Sequence, residues 1–132
     1  MFHRLSKQAG NLVFLMLLTQ NHPIEIFRTA HGTVYQCNRQ NCFIVEFAGG
    51  SSPFKVHDFL ALKRHLDAID VLAMAQDTSR VADVAILMPP RSERCFVLTL
   101  TDVLNFRELL QGAKAMLKLN SLVQECLHGM AV

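Results

Sequence analysis

Cys37 and Cys42 are the residues of this 132-residue chain whose type and spacing first suggest chemistry. They lie in "VYQCNRQNCFIVEF", with four residues between them, where two β-like stretches meet. Two thiolates on a tight turn make half of a zinc knuckle, which needs two further ligands. His31, His57 and Cys95 are the candidates, and no second Cys-x-x-Cys or His-x3-His pair supplies the rest. If "NRQN" is a four-residue hairpin loop, the cysteines face each other with Cα atoms roughly 4.5–5.5 Å apart. That span admits a reversible disulfide, and Arg39 in the loop is the nearby cation. The third reading is two unlinked thiols that close a hairpin.

Other chemistry lacks its parts. "AGGSSP" has neither the Lys-Ser/Thr nor the directly following helix of a phosphate-binding loop, so it reads as a β-turn. His57 and Asp58 are neighbours at a helix start, where adjacent side chains point apart. Ser51, Ser52 and Ser92 sit in turns without a Gly-x-Ser-x-Gly elbow. His3, His22 and His128 fall near presumed chain ends and are expected at the surface. No nucleophile is paired with a base, so the expectation is a protein that is not an enzyme and carries no cofactor.

The elements that would position these residues follow from periodicity. Residues 12–20 allow a short helix or a buried strand, because "LVFLMLL" has no clear period. From Ile24 the pattern is β-like: "IEIFRTA", a turn at His31-Gly32, "TVYQC", then "CFIVEF" with Phe43, Val45 and Phe47 on one face. "FKV" leads into a helix, "DFLALKRHLDAI", whose stripe is Phe59, Leu62, Leu66 and Ile69 and whose cap is Asp58. "DVLAMAQDTSR" is a connector with room for one helical turn. "VAILM" and "CFVLTL" are two more strands, parted by "PPRSER". A long helix follows with Val103, Phe106, Leu110, Ala113 and Leu117 inward. Ser121 and Gln124 resemble a capping box for a short last helix over 121–129.

"FKVHDFLALKRHL" laid over "LTLTDVLNFRELL" at an offset of 44 matches Asp58 with Asp102, Leu60 with Leu104 and Leu66 with Leu110. Either the chain repeats a strand-strand-helix unit, over 24–70 and 83–118, or two similar strand-to-helix junctions look alike. Both give the same architecture: one α+β domain over 1–132, a small antiparallel sheet with two main helices on one face, preceded by an apolar extension at 1–23.

"GTVYQCNRQNCFIVEF" followed by "FKVHDFLALKRHLDAI" resembles a family of small uncharacterised bacterial proteins, found chiefly in the Bacteroidota. Its members open with a hairpin carrying Cys-x-x-Cys and then repeat a strand-helix unit. The likeness spans about residues 30–118, through Gly32, Tyr35, Cys37, Phe47, Phe54 and Phe59; this chain departs from it with Gln40 in the third place after Cys37. The resemblance implies a domain of unknown function, in a family with no assigned activity.

Thirteen basic and eleven acidic residues leave a net charge of +2 without a stripe of cations, so no nucleic-acid partner is expected. The most basic run, Lys63-Arg64-His65, reads as a helix face on which Lys63 pairs with Asp67. Leu12 to Leu18 is too short to span a bilayer and, despite its basic start, lacks a cleavage site after it. No membrane partner is expected. A cytoplasmic, reduced chain is expected from cysteines set in apolar patterns. An apolar share of 51%, concentrated in Leu12 to Leu18 and in Leu117, Leu119, Leu122 and Leu127, points to a binding or assembly module that self-associates as a homo-oligomer. Its ligand is unknown. The alternative is a metal or thiol-redox site at Cys37 and Cys42.

Overall fold

Three hairpin turns in succession build the larger sheet, and each is set by local chemistry. The computed structural model describes residues 22–77, 84–89, 91, 92 and 94–130. Strands β1 (Ile24–Thr29), β2 (Gly32–Cys37), β3 (Cys42–Phe47) and β4 (Gly50–Phe54) form an antiparallel meander in that order. Ala30 and His31 make the first turn, with the His31 N–H donated to Thr29 Oγ1 at 3.1 Å. Gly32 opens β2 because a Cβ there would strike the Glu46 carbonyl oxygen across the ladder. The β3–β4 turn holds Ala48 at φ 55° and Gly49 at φ 78°, the left-handed pair that suits a two-residue hairpin.

"AGGSSP", expected as a turn throughout, is therefore a turn only at Ala48-Gly49, and Gly50 onward pairs with β3. Its residue types are turn types, but the ladder to β3 and the inward Ser52 and Phe54 override them. Pro53 is tolerated because β4 lies at the edge of the sheet. With a two-residue turn closed by Phe47 and Gly50, hydrogen-bonded pairs alternate, and Pro53 opposite Ile44 falls where its nitrogen faces the free edge.

The buried face carries Val34, Phe43, Val45, Phe47 and Phe54, as the alternation in 42–47 predicts. Helix α1 (Val56–Asp67) packs on β3 and β4, and the third helix, α3 (Leu100–Met130), on β1 and β2. Phe59, Leu62 and Leu66 of α1 and Val103, Phe106, Leu109, Leu110 and Ala113 of α3 are fully enclosed. The Phe27 ring lies on Gly112, where a Cβ would clash with it. Between the two, α2 (Val71–Gln76) is a short helix capped by Asp70, whose Oδ1 accepts the Ala73 N–H at 3.0 Å.

The second strand pair, β5 (Val84–Leu87) with β6 (Phe96–Thr99), does not join the meander but forms its own two-stranded sheet against α3. The expected single sheet is thus two. Phe106 links them, its ring stacked on Phe47 at 4.2 Å and tilted against Phe96 at 5.1 Å.

At both strand-to-helix junctions the offset of 44 holds, since α1 starts at Val56 and α3 at Leu100. The matched aspartates nonetheless do different work. Asp102 forms a capping box with Thr99: its Oδ2 accepts the Thr99 N–H at 3.0 Å, and Thr99 Oγ1 accepts the Asp102 N–H at 3.2 Å. Lys55 stands in Thr99's place before α1 and provides no side-chain cap. Asp58, expected as that cap, is instead a buried first-turn residue turned toward Arg91.

The short helix expected over 121–129 is not a separate element. Ser121 starts nothing, because α3 continues unbroken to Met130. From Lys118 to Gly129 every residue is exposed, so the helix leaves the core before the predicted cap is reached. Residues 12–20 and His3 lie outside the described residues.

Candidate functional site

The hairpin register sets Cys37 directly opposite Cys42 at the end of β2 and β3. Both are buried free thiols. The loop between them is held by the Asn41 N–H on the Asn38 carbonyl at 3.4 Å, with Asn41 at φ 51°. Gln40 turns back so that Cys42 Sγ donates to its Oε1 at 4.0 Å, the outer limit for sulfur. Burial pushes the Cys42 thiol up from its ordinary value, the neighbouring Cys37 thiol pushes further, and Lys55 pulls the other way. Arg39, the cation singled out in the sequence, is not among these influences; Lys55, contributed by the residue just before α1, is.

The other zinc ligands do not assemble. His31 sits in the turn at the far end of β2, Cys95 is exposed before β6, and His57 faces Arg91. Among the described residues no group of three or more His, Cys, Asp or Glu could hold a metal ion. Cys37 and Cys42 are brought together as a pair, without third and fourth donors. His22, expected at the surface, is half-buried, and its Nδ1 is enclosed without a partner among the described residues. His128 is exposed on α3 as expected.

A second constellation was not visible in the sequence. Arg91, in the β5–β6 loop at φ 60°, donates from Nε to Asp58 Oδ1 at 3.2 Å and places Nη2 3.1 Å from His57 Nε2. His57 and Asp58, which adjacency alone would point apart, therefore meet through a third residue: His57 Nε2 lies 3.3 Å from Asp58 Oδ1. Arg94 is held more firmly. Its Nη2 donates to the carbonyls of Phe47 and Ala48, and its Nη1 reaches Ser52 Oγ at 3.4 Å. Its guanidinium covers Gly50 and stands 4.5 Å over the Phe96 ring.

These side chains line two hollows that meet at Pro53 and Arg91, together a groove along the outer edge of β4. One end, about 510 Å³, lies between Ser51, Ser52, Arg91, Ser92 and Arg94. The other, about 240 Å³, lies between Gln40, Cys42, Lys55, Asp58 and Arg91, and Pro53 borders both. A neighbouring hollow of about 720 Å³ at the β3–β4 turn is walled mostly by turn backbone, with His31 and Glu46 at its rim. The available signal for the groove was two arginines in the short loop "PPRSER". Their partners lie 33 to 47 positions away, beyond the reach of spacing arguments.

Comparison with models of known protein families, with curated proteins and with solved structures finds no match to this chain. Among the described residues no helix is long and apolar enough to cross a membrane.

Proposed function

We propose that the protein is a non-enzymatic binding and assembly module that associates with a second copy of itself through the distal half of α3. One observation carries the reading. Because α3 is continuous, Leu119, Val123 and Cys126 recur at spacings of four and three, the spacing of a two-helix seam, just beyond Met116, which packs on the core. Leu122 and Leu127 flank that seam. Leu119, Leu122, Val123 and Leu127 are 48–58% exposed, while Lys114, Lys118, Ser121 and Glu125 occupy the opposite side of the helix at about 100° per residue.

Two physical arguments favour a helical partner. An unsupported helical stretch of about twelve residues is marginal in water, and 118–129 has no buried residue to hold it. The strand-edge route is blunted as well: Pro53 removes a donor from the β4 edge, and a bulge between Glu25 and Phe27 breaks the β1 ladder. The setting proposed is cytoplasmic, to which four free cysteines are suited.

Sedimentation of the protein at tens of micromolar tests the reading. A dimer is expected, and Leu119→Asp with Val123→Asp should give a monomer with an unchanged thermal midpoint of the core. A monomeric wild type sinks the proposal.

The direct opposition of Cys37 and Cys42 favours a second reading, a dithiol that closes to a disulfide. Two thiols would give up two protons and two electrons to an external disulfide, which is reduced to two thiols. Alkylation of reduced and oxidised samples followed by mass measurement should differ by two labels. Equal labelling removes this reading.

A further inference from the structure

We infer that the groove beside β4 is a binding site for an oxyanion, the phosphate or carboxylate group of a small molecule, held by Arg94 and Arg91. Arg94 anchors the site. Its guanidinium is fixed before any ligand arrives, by two backbone carbonyls, by Ser52 Oγ and by the faces of Gly50 and Phe96. Among the described residues three of its five N–H donors have acceptors and no carboxylate touches it. A positioned guanidinium with free donors is what bidentate recognition of phosphate or carboxylate uses.

The rest of the groove carries the same sign. Lys55, Arg91 and Arg94 line it against one described acid, Asp58, and Asp58 is already engaged by Arg91 and His57. Arg91 stands 69% exposed where the two hollows meet, and while its Nε and Nη2 stay on Asp58 and His57, its Nη1 has no partner among the described residues and is left for a ligand. The N-terminus of the twelve-residue α1 opens at the Lys55 end and lacks the side-chain cap that Thr99 gives α3. The positive dipole end of α1, shared there with the first-turn Asp58, adds to the field. At about 510 Å³ the Arg94 end is large enough for a small ligand. Neither the absence of the phosphate-loop motif nor the self-association reading bears on this site, because its donors come from two arginines of the β5–β6 loop.

The test is a titration followed by backbone amide resonances in a low-chloride buffer, with inorganic phosphate in one arm and citrate in the other. Saturable shifts are expected at Ser51, Ser52, Lys55, His57 and Arg94 in at least one arm, and the arm that saturates names the source of the oxyanion. Arg91→Gln, an exposed position, and Arg94→Lys, which keeps charge but loses the fork, should each weaken binding by about tenfold. Lys114→Gln with Lys118→Gln, two distant cations on α3, should leave it unchanged. No saturation in either arm overturns the inference. So does equal weakening by the α3 substitutions, which would mean general charge attraction.

Discussion

Replacing Arg107 with methionine should cost about 2 kcal/mol of folding stability. In the alignment at an offset of 44 Arg107 takes the place of Lys63, yet Lys63 pairs within its own helix, Nζ to Asp67 Oδ2 at 2.6 Å, as the i+4 spacing predicts. Arg107 reaches instead from α3 to the end of α1. Its Nη2 donates to the carbonyls of Leu66, Asp67 and Ile69 at 3.1, 3.0 and 2.6 Å, and its Nε to Leu66 at 3.3 Å. Those carbonyls include ones that the end of a helix leaves without intrahelical partners. A hydrogen bond from a charged donor contributes about 1.5–3 kcal/mol. Arg107 is only half-buried, so water takes over part of the work once it is gone, and the three acceptors do not add. Methionine keeps the aliphatic packing and removes only the donors. At about 2.1 cal/mol/K of unfolding entropy per residue, the loss lowers the melting midpoint by about 7 °C. Arg107→Lys should recover roughly half, because the ammonium keeps the charge but loses the second donor, Nε, that also reaches the Leu66 carbonyl. Urea unfolding at unchanged m-value is the assay. If Arg107→Met falls within about 0.5 kcal/mol of wild type, the size of an ordinary surface change, the clamp does not hold α1 to α3.

Three further outcomes are expected. Gly32→Ala should destabilise by about 1–3 kcal/mol, because the new methyl meets the Glu46 carbonyl oxygen and Leu109 Cδ2 and backbone has to give; the denaturation midpoint reads it. Thr99→Ala should cost about 1 kcal/mol through loss of the α3 cap, measured in the same way. Cys42 has a raised thiol pKa in the folded state, so its contribution to stability is complete below an unfolded value of about 8.5 and is lost as pH rises through the folded value. Melting midpoints of wild type and Cys42→Ala should therefore converge or cross on the alkaline side, and parallel curves would count against the shift.

What could be read from residue order was what depends on one-sided burial. Phe43, Val45 and Phe47 alternate with Ile44 and Glu46, and Phe59, Leu62 and Leu66 recur at helical spacing; both patterns describe a surface pressed on a core, and both faces are buried as read. The opposition of Cys37 and Cys42 was legible for a related reason, since a four-residue loop fixes the register. Strand β4 was not legible, because Ser51, Ser52 and Pro53 are turn residues by propensity and only the ladder from β3 extends them. The continuity of α3 was hidden by Asn120-Ser121, weak helix formers that a helix already under way accommodates. The groove was least visible of all. Arg94 owes its position to the carbonyls of Phe47 and Ala48, and a backbone acceptor leaves no mark in a sequence.

One aromatic ring has a consequence for how the molecule comes apart. A lone two-stranded ribbon has little persistence in water, so β5–β6 depends on Phe96 resting against Phe106, and Phe106 rests in turn on Phe47 of the meander. Peeling away either sheet bares the same ring to solvent. Among the described residues the two sheets share no ladder, so this common ring is expected to couple their melting, and probes placed in either sheet should report one coincident transition.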